Sequence, residues 1–165
     1  MNIHRKYFYL FILFFAATDQ LSKYYLIRHF DINPELLISD FLYKVNEYFN
    51  IVIVWNRGFA FGSFQSNMLS FNILYVCIIS SVICILLIYA NKLNQKYYFF
   101  AFSLVIGGAV GNLIDRIAYG AVVDFIDLNL QNLHWYVFNI ADIYISLGCI
   151  LLILAEIRNK LTDND

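Results

Sequence analysis

Charge is scarce in this chain: Asp, Glu, Lys and Arg together make up 14% of 165 residues, and proline occurs once. So little charge excludes an ordinary water-soluble domain of this size, whose surface needs far more of it. The lysines and arginines form no basic patch interleaved with aromatics, which sets nucleic acid aside as a partner. Cys77, Cys84 and Cys149 are odd in number, lack C-x-x-C spacing and lie inside apolar runs. That pattern excludes a disulfide framework and a metal knuckle, leaving small apolar packing residues. His4, His29 and His134 are far apart and make no H-E-x-x-H pattern. No metal and no other cofactor is expected.

What the chain has instead is hydrophobic residues, 61% of the total, with 19% aromatic. Runs that are apolar all round suit lipid-facing helices. Four runs reach the roughly 20 residues of a bilayer crossing: about 7–28, 68–90, 97–117 and 137–157. Arg5 and Lys6 ahead of YFYLFILFFAATDQLSKYYLI resemble the start of a secretory signal peptide. However, no small-x-small cleavage pattern stands before the polar residues, and apolar character resumes after Lys23, so a retained first span is expected. Residues 29–67 differ, with Pro34, several acids and the β-rich run YFNIVIVWN. Alternation there predicts short strands at the membrane surface, followed by the loop NRGFAFG, where Gly58 and Gly62 permit a tight turn and Phe59 and Phe61 are buried. The expected fold is an all-α membrane protein in a single domain over 1–165. It has four transmembrane helices and a small extracytoplasmic β-containing segment at 29–67.

Arg5, Lys6, Lys92, Lys96, Arg158 and Lys160 fall on one side of such a topology, while the link after the third run has no Lys or Arg between 117 and 136. By the positive-inside rule both termini are cytoplasmic. Asp19 and Lys23, the loop at Asn56, the helix end carrying Asn112 and Arg116, the loop residue Asp124, and the helix start carrying Asn139 and Asp142 then gather at the outer face. Ionisable groups at membrane depth are costly and mark function.

Asp124, set in GAVVDFIDL, and Asp142, about one turn inside the fourth run, are the carboxylates expected to react. Held together in poorly solvated surroundings, two carboxylates resist double ionisation and share one proton. Such a pair activates water and polarises a peptide carbonyl, the division of labour in aspartic proteases. Asn112 and Arg116, four apart, share a helix face and are expected to bind substrate carbonyls. Asp115 points elsewhere and reads as structural, and Asp127 as a surface charge. Asp19 and Lys23 are spaced as an i,i+4 ion pair, with the lysine able to snorkel to water. Gly107, Gly108 and Gly111 suit close helix packing. A transporter would need a relay of acids across the bilayer, whereas these acids gather at one face.

Five blocks stand in order along the chain: DQLSK at 19–23, NRGFAFG at 56–62, GGAVGNLIDR at 107–116, VVDF at 122–125 and FNIAD at 138–142. Together they resemble the successive sequence blocks of the bacterial lipoprotein signal peptidases, signal peptidase II. The resemblance implies an intramembrane aspartyl endopeptidase of the cytoplasmic (inner) membrane, with its active site toward the outer face. Its partners would be membrane lipids and prolipoproteins, cut just before the diacylglyceryl-modified cysteine, and it would be inhibited by globomycin-type antibiotics. By the same resemblance Asp124 and Asp142 match the catalytic pair. Asn56, Asn112, Arg116 and Asn139 match residues lining the substrate site, and Asp19 and Lys23 match a supporting block.

Overall fold

The computed structural model describes residues 3–37, 41–58, 69–93, 96–130, 133–134 and 136–162. In chain order the elements are α1 (Ile3–His29), β1 (Phe41–Lys44), β2 (Phe49–Asn56), α2 (Leu69–Leu93), α3 (Lys96–Tyr119), β3 (Val122–Leu130), β4 (Leu133–His134) and α4 (Ile140–Thr162). Among the described residues, three helices are long and apolar enough to cross a membrane: Leu69–Leu93, Tyr98–Tyr119 and Ile140–Leu161. Helix α1 is long, at 27 residues, but Asp19, Lys23 and its basic ends dilute its apolar character. The chain divides into two compact units, one formed by Met1–Asp19, Ser80–Gly111 and Ile140–Asp165, the other by Gln20–Ile79 and Asn112–Asn139.

The first unit is helical, and α3 is its centre. Residues 101–108 are buried without a break, whereas α2 and α4 leave residues such as Ile85, Ile88, Ile153 and Leu154 largely exposed. Apolar side chains facing outward from a helix bundle are what a lipid solvent favours. Cys84 and Cys149 belong to this outer surface, and Cys77, in the second unit, is exposed on α2 as well. They are exposed on the helices rather than packed, a correction to the reading from apolar context alone, because hydropathy does not distinguish a lipid-facing position from a core one.

The glycines of α3 let its neighbours approach closely, as the small-residue spacing predicts. A Cβ at Gly107 would stand 2.7 Å from the Phe15 Cβ on α1. One at Gly108 would stand 2.5 Å from the Ala141 carbonyl oxygen on α4, and Gly148 of α4 returns the contact against Ala101 and Val105. Fully buried Ser103 donates or shares its hydroxyl with the Phe99 and Phe8 carbonyls, at 2.6 and 3.2 Å. Gly108→Val is therefore expected to lower stability by roughly 1–3 kcal/mol, the usual cost of overpacking. Thermal unfolding in detergent checks this, and an unchanged midpoint would mean that α3 and α4 separate easily at this level.

The second unit holds an antiparallel sheet of order β1-β2-β3, with two-residue β4 added at the far edge. The β1–β2 hairpin turns at Asn46, whose side-chain oxygen accepts from the Tyr48 and Phe49 amides at 2.8 and 2.9 Å. Phe30, just past α1, rests on Phe41 and Tyr43 of β1, with ring centroids 4.3 and 5.7 Å away. Strands thus form in the 29–67 segment, but it does not make a sheet alone. The long strand β3 comes from the link between the third and fourth runs, so Asp124 is a strand residue and not a loop residue. The β-branched and aromatic content of VVDFIDL suits a strand, and its two carboxylates disguise it as a polar link.

Strand pairing also decides which way the polar side chains point. Between Ile51↔Ile126 and Val54↔Asp124, β2 advances by three residues and β3 by two, a β-bulge. Side chains alternate faces along a strand, so Asn50 and Asn56 would share a face in a regular β2. The extra residue turns Asn56 to the other face, as bulges do. Asn50 then pairs with Asp127, donating to its carboxylate at 2.9 Å, and Asn56 comes to the Asp124 side. Asp127 is 5% exposed, which corrects its reading as a surface charge. Three residues beyond Asp124, it takes the opposite face of β3 and an amide partner there. Phe59, Phe61 and Gly62 of the NRGFAFG loop lie outside the described residues.

Candidate active site

Helix α3 ends at Tyr119, where Gly120 adopts φ 73° and its amide donates to the Arg116 carbonyl at 3.1 Å. A glycine in the left-handed region is the usual way to stop a helix and reverse the chain. The chain then re-enters immediately as β3, so Asp115 lies against the strand's start. Asn72 of α2 also donates to the Arg116 carbonyl, at 3.0 Å, so this terminal acceptor of α3 takes two hydrogen bonds.

Asp124 of β3 is 3% exposed, and each of its carboxylate oxygens accepts an amide hydrogen. Asn56 Nδ2 donates to Oδ2 at 2.9 Å, and Asn139 Nδ2 donates to Oδ1 at 2.6 Å. The Asn56 side-chain oxygen accepts the Gly58 amide at 3.0 Å, which holds its amide plane against β2. Asn139 divides its two amide hydrogens between Asp124 and the Asn112 oxygen, the latter at 3.1 Å. Asn112 Oδ1 also accepts from Lys23 Nζ at 3.2 Å. The network continues through Lys23, which forms an ion pair of 2.7 Å with Asp115. Gln20 Nε2 donates to the other Asp115 oxygen at 2.7 Å, and the Val123 amide donates to Oδ2 at 3.1 Å.

Lys23 is 2% exposed and Asp115 fully buried. Lys23 therefore does not snorkel to water, a correction to the interfacial reading, because a buried carboxylate and an amide oxygen meet its charge inside the protein. Gln20 was not singled out from sequence; its signal is its place one turn before Lys23 on the same helix face. Tyr75 was missed as well. Its ring centroid lies 4.7 Å from the Arg116 guanidinium carbon, a cation–π contact between residues about forty positions apart that no local pattern announces. Arg116 Nη2 donates to the Gly58 carbonyl, while Nε and Nη1 are buried without a hydrogen-bond partner among the described residues.

The first unit carries the remaining predicted residues. Asp142 is half-buried in the first turn of α4. Asp19 of α1, fully buried, accepts the Ala141 amide at 3.0 Å. Gly111 of α3 lies against the Asp19 side chain, so a larger residue there would displace the carboxylate. Thr18 and Tyr144 share a hydroxyl hydrogen bond of 3.0 Å one turn away. The amides of a helix's first turn lack intrahelical acceptors, and a carboxylate also complements the helix dipole there.

A sequence model described as "Signal peptidase (SPase) II" matches residues 11–158. The chain belongs to the signal peptidase II family. Relatives in this family include the lipoprotein signal peptidase of Pelagibacter ubique, 37% identical over 98% of this chain and 97% of that one. The lipoprotein signal peptidase of Blochmanniella pennsylvanica is 44% identical over 87% of this chain and 83% of that one. A solved structure titled as a bacterial membrane enzyme at 2.3 Å matches with a TM-score of 0.74 and 31% identity, covering 94% of this chain and 90% of that one. A second, at 1.9 Å, matches with a TM-score of 0.72 and 30% identity. As a signal peptidase II relative with three apolar spanning-length helices, the chain is an integral membrane protein and a protease. All five sequence blocks fall within the matched residues.

Proposed function

We propose that this protein is an intramembrane aspartyl endopeptidase that removes signal peptides from prolipoproteins, cutting before the diacylglyceryl-modified cysteine. The observation that carries the reading is the setting of Asp124, buried, with an asparagine amide on each oxygen. A carboxylate that accepts on both oxygens has the arrangement of the ionised, acceptor-only form. Asp124 is then the base, and Asp142, three residues past Asn139 along the chain, carries the shared proton.

In this mechanism Asp124 takes a proton from water as its oxygen attacks the scissile carbonyl carbon, and Asp142 donates a hydrogen bond to the carbonyl oxygen. The tetrahedral intermediate collapses as the C–N bond breaks. The proton held on Asp124 passes to the leaving amine, and the second proton of the attacking water stays with the new carboxyl product. No covalent acyl-enzyme forms. Asn56 and Asn139 hold Asp124, and Asn112 ties Asn139 to Lys23. All three amides, with Arg116, line the substrate site. Arg116, with two buried donors unused among the described residues, suits a substrate carbonyl. A substrate group there would satisfy donors that are otherwise costly to bury.

Helix α1, about 40 Å long at 1.5 Å per residue, is the fourth span of one peptidase domain. Its Asp19 and Lys23 are met by protein partners, so they need no water. Arg5 and Lys6 stand at the start of α1, Lys92 at the end of α2, Lys96 at the start of α3, and Arg158 and Lys160 at the end of α4. This supports a cytoplasmic-membrane topology with both termini inside and the catalytic end outward. The substrate's lipid tails stay in the bilayer. Incubation of the purified protein with a diacylglyceryl-modified prolipoprotein is expected to release the signal peptide, with loss of cleavage when globomycin is added. Unchanged substrate mass would refute the reading and favour a lipid-binding or transport role.

A further inference from the structure

Two buried carboxylates outside the proposed catalytic pair make the same kind of contact in different elements. Asp115 of α3 accepts the amide of Val123, the residue immediately before Asp124. Asp19 of α1 accepts the amide of Ala141, the residue immediately before Asp142. Both acceptors are fully buried, and neither bond belongs to a regular helix or sheet ladder. We propose that Asp115 and Asp19 are positioning residues, each fixing the backbone amide of the residue that precedes one reactive aspartate. The proposal rests on Asp124 and Asp142 being that pair.

The physical case is one of reach. An aspartate side chain has a short stem, so the place of its carboxylate follows the backbone at its own Cα. Asp124 stands near the start of β3, two residues after the strand begins, where fraying is greatest. The β2 bulge adjoins its own pair, lying between Val54↔Asp124 and Ile51↔Ile126. Asp142 stands in the first turn of α4, whose amides have no partner within the helix. In both places regular structure leaves the backbone least determined, and a buried carboxylate supplies the missing acceptor. Each anchor is itself fixed. Asp115 is held by Gln20 and Lys23, and Asp19 is set against Gly111, where no side chain competes for the space. The Lys23–Asp115 pair thus has a role besides stability: it holds the acceptor that aligns β3.

Catalysis is sensitive to such alignment, because a displacement of about 1 Å costs on the order of 100-fold in rate. Asp19→Ala is expected to lower kcat by roughly 10- to 100-fold with KM changed less than about twofold. Asp19→Asn, which keeps an oxygen at the same place, is expected to restore kcat to within a few-fold of the wild type. For Asp115 the single alanine variant strands a buried lysine cation and risks misfolding, so the comparison uses two charge-free backgrounds. K23M/D115N keeps an acceptor for Val123, and K23M/D115A does not; the first is expected to turn over about tenfold or more faster at equal folded fraction. Residue-resolved hydrogen exchange is read alongside, with faster exchange expected at the Ala141 amide in Asp19→Ala and at the Val123 amide in K23M/D115A. Equal kcat in the two Lys23 double variants, or an Asp19→Asn enzyme as slow as Asp19→Ala, would overturn the proposal. If the wild type fails to cleave prolipoprotein, the functional reading fails separately. The exchange measurements then still decide the anchoring: unchanged exchange at both amides overturns it, and local acceleration supports it.

Discussion

Asp124→Asn and Asp142→Asn proteins are expected to accumulate in the membrane at wild-type levels and to process lipid-modified prolipoprotein at least on the order of 10⁴-fold more slowly. Asparagine keeps the volume of each side chain and can still hydrogen-bond, so the fold has no reason to fail. What it removes is the proton transfer. At position 124 the substitution also sets an amide against the amides of Asn56 and Asn139, which now donate to carboxylate oxygens at 2.9 and 2.6 Å. One of the two must turn away or lose its acceptor, so Asp124→Asn is expected to be the more damaging of the pair. The measurement is single-turnover cleavage followed by mass spectrometry, with folded protein quantified separately. A near-wild-type rate in either variant would remove the dyad from the mechanism.

Lys23→Met carries the largest expected effect on stability. The lysine is 2% exposed and its ammonium lies 2.7 Å from Asp115. Methionine fills similar space but leaves the Asp115 carboxylate buried without its counter-charge. Breaking a buried pair from one side costs roughly 3–5 kcal/mol, whereas removing both charges is often close to neutral. The expected result is a pronounced drop in the unfolding midpoint for Lys23→Met in detergent, with most of it recovered in K23M/D115N. A single variant as stable as the wild type would show that the pair adds no net stability. A double variant no better than the single one would show that the loss came from packing.

Helical spans were legible in the sequence because hydropathy is a local property. The runs expected at 68–90, 97–117 and 137–157 correspond to helices Leu69–Leu93, Lys96–Tyr119 and Ile140–Thr162. The glycines of α3 were legible for the same reason, since small-residue spacing bears directly on how closely two helices can approach. Asp127 was not legible: its burial depends on Asn50, which is distant in sequence and reaches it only through strand pairing. Lys23 was misjudged because a lysine near a helix end can reach water in isolation, and only the folded chain supplies Asp115 and Asn112 in its place.

By itself the sequence determined that this is a membrane protein with polar residues concentrated in five ordered blocks, and those blocks placed it in its family. Composition, period and motif order are one-dimensional and survive without coordinates. Tertiary structure alone decided that Asn56 and Asn139 meet the two oxygens of Asp124, that Asp115 holds Val123, and that Asp19 holds Ala141. The reason is geometric. The face that Asn56 presents depends on a bulge between residues 51 and 54, set by their pairing with 124–126. One residue more or less in that stretch would have turned the amide away from the carboxylate.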